Sequence, residues 1–281
     1  MFEETLALVT ALLWAGSTVA LRDPLKEIDP LSVNALKTLF AALSMLPIFF
    51  IAGEINSQLD IYGLFLVTIA AILGFGLGDT LFLRSISLIG VSKSYTIAYT
   101  FPFFTMLLGI LMLGEPFLMN HLIGITFIFL AIIFVASEKS NKAQIRSKGV
   151  ILALTTSIIW SIAMTIAAFG LATISTISAN TVRYPFLLLV LIFLSRPWTR
   201  KCQISRRNLI LLAISGTLGM AIGGITFLFS IQLIGVSKAT ALGASSPFWA
   251  SIMSALWLKE KVTWRIMLSA ILVVFGICFL V

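Results

Sequence analysis

The sequence predicts an all-α polytopic membrane protein: ten transmembrane helices built as two five-helix units of inverted topology. Three observations carry that expectation. Hydrophobic residues make up 59% of the 281-residue chain and charged residues only 11%, where a soluble domain carries about 25% charged. Apolar runs close to the roughly 20 residues needed to cross a bilayer recur from end to end. The string LIGVSK at residues 88–93 returns, letter for letter, at 233–238.

Between Gly, Pro and charge punctuation, the helices are expected near 4–21, 31–52, 61–84, 91–113, 119–137, 149–170, 178–195, 208–231, 237–257 and 263–281. The first run, in MFEETLALVTALLWAG, has acidic flanks and no basic segment before it, so it reads as a retained span and not a cleaved signal. The connections are short apart from 137–148 and 195–207. Pro102 and Pro247 are expected to kink the fourth helix of each unit, since proline removes a backbone hydrogen bond.

The repeat extends well beyond six letters. Residues 74–135 align without a gap on 219–280, pairing Gly74 with Gly219, Gly78 with Gly223, Ser85 with Ser230, Pro102 with Pro247, Phe103 with Phe248 and Glu115 with Glu260. Upstream, Trp14 pairs with Trp160, Asn34 with Asn180 and Lys37 with Arg183. The units are 1–137 and 149–281, joined by a polar linker at 138–148. An odd number of spans per unit turns the second copy upside down, the plan in which two halves enclose a site near the midplane.

The motif P-F-x…L-x-L-G-E from Pro102 to Glu115, its echo from Pro247 to Glu260, and the basic residue early in the second and seventh helices resemble the EamA domain. Two such domains in tandem resemble the drug/metabolite transporter superfamily. The resemblance implies a secondary transporter of a small organic metabolite, an amino acid or related solute, working by alternating access and most often as an exporter. A lipid or lipid-linked substrate flippase, or a channel-like facilitator of the same fold, is the alternative.

Polar residues within spans are the candidate cavity lining. Lys37 and Arg183 each stand about six residues inside a helix, about 9 Å deep. Asn34 and Asn180 precede them by three residues and share their helical faces. Each cation reads either as an anchor for an anionic group or as a side chain snorkelling to the headgroups. Asp79 has Gly224 as its repeat mate, so it is an asymmetric carboxylate. It reads as a proton or cation site, or as the partner of Arg84 or another basic residue. Trp14, Thr18, Tyr95, Tyr99, Trp160 and Trp249 complete the candidates, with core packing as the alternative for the aromatics. Gly74/Gly78 and Gly219/Gly223 are small-xxx-small packing faces, and Glu115 and Glu260 are expected to cap or pair at the boundary.

Other chemistries are excluded by what the chain lacks. It has no G-x-x-x-x-G-K-[ST] loop, no H-E-x-x-H, no G-x-S-x-G, a single histidine (His121) and two distant cysteines (Cys202 and Cys278). No cofactor, no metal and no enzymatic activity are expected. The expected partners are a small-molecule solute, the bilayer of the plasma membrane and a candidate coupling proton.

The net charge of +8 reflects topology and not nucleic acid. The links after the odd-numbered helices, with their flanks, hold Arg22, Lys26, Arg84, Lys93, Lys139, Lys142, Arg146, Lys148, Arg196, Arg200, Lys201, Arg206, Arg207, Lys259, Lys261 and Arg265; the opposite side holds Lys238 alone. Since basic loops stay in the cytoplasm, both termini are expected outside.

Overall fold

The structure, a computed structural model, describes residues 2–52, 60–113, 119–136, 143–195, 204–234, 236–259 and 263–280. Among them every regular element is helical. Six segments are long and apolar enough to cross a membrane: Glu4–Glu27, Pro30–Ile51, Ile61–Ile89, Ser147–Leu171, Thr176–Ser195 and Arg206–Ile234; Trp264–Gly276 is a shorter apolar helix. Leu8, Leu43, Phe50, Phe65, Ile151, Leu189 and Phe193 lie exposed on the outside of the bundle, the arrangement expected where lipid is the solvent. Glu115, Glu260, Cys202 and the basic links at 138–142 and 196–203 lie outside the described residues.

In chain order the elements are α1 (Phe2–Ala20), α2 (Pro24–Glu27), α3 (Pro30–Ile51), α4 (Ile61–Ala71), a π segment (Ile72–Gly78), α5 (Asp79–Ile89), α6 (Val91–Ala98), α7 (Phe101–Leu113), α8 (Met119–Ala136), α9 (Ala143–Leu171) and α10 (Thr176–Ser195). Then come α11 (Arg206–Ile214), a second π segment (Ser215–Ile222), α12 (Gly223–Ile234), α13 (Val236–Gly243), α14 (Ser246–Trp257) and α15 (Trp264–Leu280). Helix α9 starts within the stretch expected to be a polar linker, with Ser147 and Lys148 exposed on its first turns.

Helix starts follow from local chemistry. Asp29 accepts from the Ser32 N–H at 3.2 Å, with Pro30 opening α3, where a missing N–H costs nothing. Asp60 accepts from Gly63 N–H at 2.8 Å to start α4, and its repeat mate Ser205 accepts from Asn208 N–H at 3.2 Å to start α11. The LIGVSK turn is also explained. Gly90, between α5 and α6, has φ 86°, a left-handed conformation that a side chain disfavours.

Pro102 and Pro247 do not kink continuous helices. The chain breaks before each, and the prolines stand in the first turns of α7 and α14, where no intrahelical donor is needed. Thr100 and Ser246 close these breaks by donating to the carbonyls of Ile97 at 2.8 Å and Gly243 at 2.6 Å.

Packing runs in pairs: α10 along α3, α15 along α8, α9 along α4, its π segment and α5, and α1 along the second π segment and α12. Glycines in the π segments, and Gly223 just after the second, let the neighbours in. A Cβ on Gly78 would stand 2.8 Å from Trp160, and one on Gly223 would stand 3.0 Å from the Trp14 Nε1. A Cβ on Gly216 would collide with the Lys37 carbonyl and one on Gly219 with the Ser17 hydroxyl.

Polar contacts join the units at both ends. Asn208 donates to Glu27 at 2.6 Å and Arg207 to Asp23 at 2.8 Å. At the other end Thr173 donates to Asp60 at 2.7 Å. That hydroxyl, with the Gly63 N–H, holds the Asp60 carboxyl below its ordinary range.

The glycine contacts generate a test. Gly216→Ala meets backbone and is expected to cost about 1–3 kcal/mol through overpacking. Gly16→Ala, whose Cβ would find only Met253 at 3.7 Å, is expected to be neutral. Thermal unfolding in detergent should separate the two; equal stability would show that the π segments have slack.

Candidate functional site

A cavity of about 860 Å³ of empty space, its open mouth included, lies between α1, α5, α9 and the two π segments, with one residue each from α3 and α10 on its wall. Its charged lining residues, among those described, are Lys37, Asp79 and Arg183. Each is brought in by a different element: α3, the first residue of α5 after the π segment, and α10.

Lys37 is 8% exposed and donates to Asp79 Oδ2 at 2.5 Å. The indole N–H of Trp160 donates to the other oxygen, Oδ1, at 3.0 Å. Both carboxylate oxygens are therefore committed, one to a cation and one to a neutral donor from the second unit. Buried charges need such partners, because low-dielectric surroundings penalise an isolated ion by several kcal/mol. The carboxylate belongs to Lys37 and not to Arg84, the partner named first among the sequence expectations.

Arg183 is 2% exposed and has no carboxylate partner among the described residues. Its Nη2 donates to Asn180 Oδ1 at 2.5 Å and to the Tyr184 hydroxyl at 3.2 Å. The Phe75 and Tyr184 rings lie 4.9 and 5.0 Å from its guanidinium carbon, within cation–π range. Its Nε is buried and without a partner. Tyr184 donates to the Met220 carbonyl at 2.6 Å, which fixes the phenol against the second π segment.

Aromatic walls complete the cavity. The Trp14 ring lies 6.5 Å from Tyr99, and the Trp160 ring lies 5.6 Å from Tyr99 and 5.1 Å from Phe82. Tyr95 donates to the Trp14 carbonyl at 2.7 Å and shares a hydrogen bond with Thr18 at 3.0 Å, so the pair ties α6 to α1.

Of the candidates read from the sequence, Trp14, Thr18, Lys37, Asp79, Tyr95, Tyr99, Trp160 and Arg183 line the cavity. Three others stand behind it. Asn34 donates to the carbonyls of Phe75 at 2.6 Å and Gly76 at 3.2 Å and to Thr80 at 2.9 Å, holding the opened π backbone. Asn180 supports Arg183 and donates to the Thr176 carbonyl at 2.9 Å. Trp249 packs against Phe248 and the core. Sequence reasoning missed Phe75 and Tyr184, whose repeat mates are Met220 and Thr38. Their lack of likeness to those mates was the available signal.

The Lys37–Asp79 contact makes a measurable expectation. Lys37→Met alone strands a buried carboxylate and is expected to cost about 3–5 kcal/mol. Lys37→Met with Asp79→Leu is expected to recover most of that loss. Thermal unfolding of the four proteins in micelles gives the cycle; additive losses would mean that the pair is not coupled.

Comparison with known proteins agrees along the whole chain. The EamA-like transporter family matches residues 1–137 and again 147–281. An "Uncharacterized transporter" of Archaeoglobus fulgidus is 25% identical over 282 residues, covering 100% of this chain and 98% of the relative. A solved structure titled only "Crystal structure of protein" has the same fold, with a TM-score of 0.73 at 15% identity over 99% of this chain and 95% of its own.

Proposed function

We propose that this chain, which belongs to the EamA-like transporter family and so to the drug/metabolite transporter superfamily, is a secondary transporter exporting a small organic metabolite by alternating access. The observation that carries the reading is the cavity between the two units with Lys37, Asp79 and Arg183 on its wall. A protein that needed only to fold in lipid gains little from burying Lys37, Asp79 and Arg183.

Ten spans in two inverted units, 1–137 and 149–281, are part of the proposal. The packing pairs support it. Exchanging each helix for its repeat mate turns the α1 contact with the second π segment and α12 into the α9 contact with the first π segment and α5. The same exchange maps α3–α10 and α8–α15 onto themselves. The polar contacts between units are consistent with it: Glu27 and Asn208, which share a hydrogen bond, have Thr173 and Gly63 as repeat mates, and at the opposite end both Thr173 and Gly63 donate to Asp60. One contact would part while the other holds as the units rock.

That motion is testable in proteoliposomes. Cysteines at Asp60 and Thr173, or at Glu27 and Asn208, in a chain with Cys202 and Cys278 replaced by Ser, bridged by a short bis-methanethiosulfonate reagent, should each stop solute counterflow. Reduction or omission of the bridge should restore it. Counterflow that continues with either bridge in place rejects alternating access, and movement of labelled lipid without solute would point to a flippase. An imposed pH gradient in the same vesicles tests Asp79 as the coupling-proton site: Asp79→Asn should keep counterflow and lose proton-driven accumulation.

We further place both termini outside the plasma membrane. Arg207 meets Asp23 beside Lys26, so basic residues from two links share one end of the bundle. GFP fused to the C-terminus is expected to stay dark, whereas strong cytoplasmic fluorescence would reverse the orientation.

A further inference from the structure

The two units treat their intramembrane cations differently. In the first, Lys37 sits on Asp79. In the second, Arg183 is the repeat mate of Lys37, but the mate of Asp79 is Gly224. The carboxylate cannot simply be restored there. A Cβ on Gly224 would collide with the Tyr184 hydroxyl and stand 3.3 Å from Arg183 Nη2. Among the described residues the second unit thus keeps the cation of an ion pair and lacks its anion.

We propose that Arg183 is the docking point for a single carboxylate on the substrate, which supplies the missing half of that pair. The inference rests on the transporter reading and specifies its substrate as a monoanion with a ring-sized apolar body. Several observations converge on this. Arg183 lines the cavity, is 2% exposed, and keeps a buried, unpartnered Nε. Phe75 and Tyr184 rings lie against the guanidinium and Nη2 donates to Asn180 and Tyr184, so the unpartnered Nε–H is a donor left for a ligand. A guanidinium N–H gives a carboxylate a charge-assisted hydrogen bond.

The charge count sets the valence. The described lining holds two cations and one carboxylate, a surplus of one positive charge that one carboxylate neutralises. A dianion would overshoot that surplus and face Asp79. An ammonium group on the ligand would find no net negative charge, because Lys37 already balances Asp79, the one carboxylate of the described lining. The substrate body has Trp14, Phe82, Tyr99, Phe101 and Trp160 as its walls, faces suited to stacking a planar ring.

The test uses the full chain in detergent with phenylacetate as the probe, read by calorimetry or thermal shift. Phenylacetate is expected to bind at least tenfold tighter than its neutral isostere phenylacetamide, the cation phenethylamine, the zwitterion phenylalanine, and dianionic benzylphosphonate at pH 8.5. Arg183→Gln is expected to remove that preference, and Asp79→Asn, which raises the surplus charge, to tighten phenylacetate binding severalfold. Should Arg183→Gln fail to fold, the wild-type ranking alone decides. No phenylacetate binding, or amide, amine or zwitterion bound as tightly, overturns the carboxylate site. Phenylacetate bound with that selectivity but not moved in proteoliposomes would leave the site standing and reject the transporter reading.

Discussion

The structure depends on two indole rings seated on glycine backbone. Trp14 of the first unit lies against Gly223, and Trp160 of the second against Gly78. Each contact places the leading helix of one unit at the C-terminal end of the π segment of the other, Gly78 being its last residue in one case and Gly223 the next residue after it in the other. A helix backbone can approach that closely only where no Cβ intervenes, and in lipid such close packing replaces the hydrophobic drive that holds soluble helices together. The seating of Trp160 also delivers its N–H to Asp79 at 3.0 Å. Packing between the units and the electrostatics of the cavity are thus set by one contact.

The π segments explain why the cavity lies where it does. A π turn widens the helix and shifts its hydrogen-bond register, and such turns cluster at functional sites. Here Asn34 meets the carbonyls of Phe75 and Gly76 in the opened turn. Phe75 in turn lies against Arg183. On the far wall, Tyr184 reaches the Met220 carbonyl of the second π segment. Both walls are therefore built from backbone that has departed from α geometry and been caught by a side chain of a neighbouring helix.

The repeat keeps Trp14/Trp160, Gly74/Gly219, Gly78/Gly223 and Asn34/Asn180, which pack the two halves of the chain against each other. It departs at Asp79/Gly224, Phe75/Met220 and Thr38/Tyr184, all of which stand at or beside the two buried cations.

Membrane residence, helical class and family were legible in the sequence, because they depend on hydropathy and on a repeat that survives as letters. The charged residues that line the cavity, Lys37, Asp79 and Arg183, also stood out in the sequence, since intramembrane charges are costly enough that few are present without a role. The prolines misled, because a proline between two helices and one within a single helix read alike in sequence, and only the positions of the flanking hydrogen bonds distinguish them. The π turns, the pairing of Asp79 with Lys37 and the unpaired state of Arg183 were decided by tertiary structure. Each rests on contacts between residues tens to more than a hundred positions apart, such as 37 with 79 and 79 with 160, and helical periodicity carries no information about which face of one span meets which face of another.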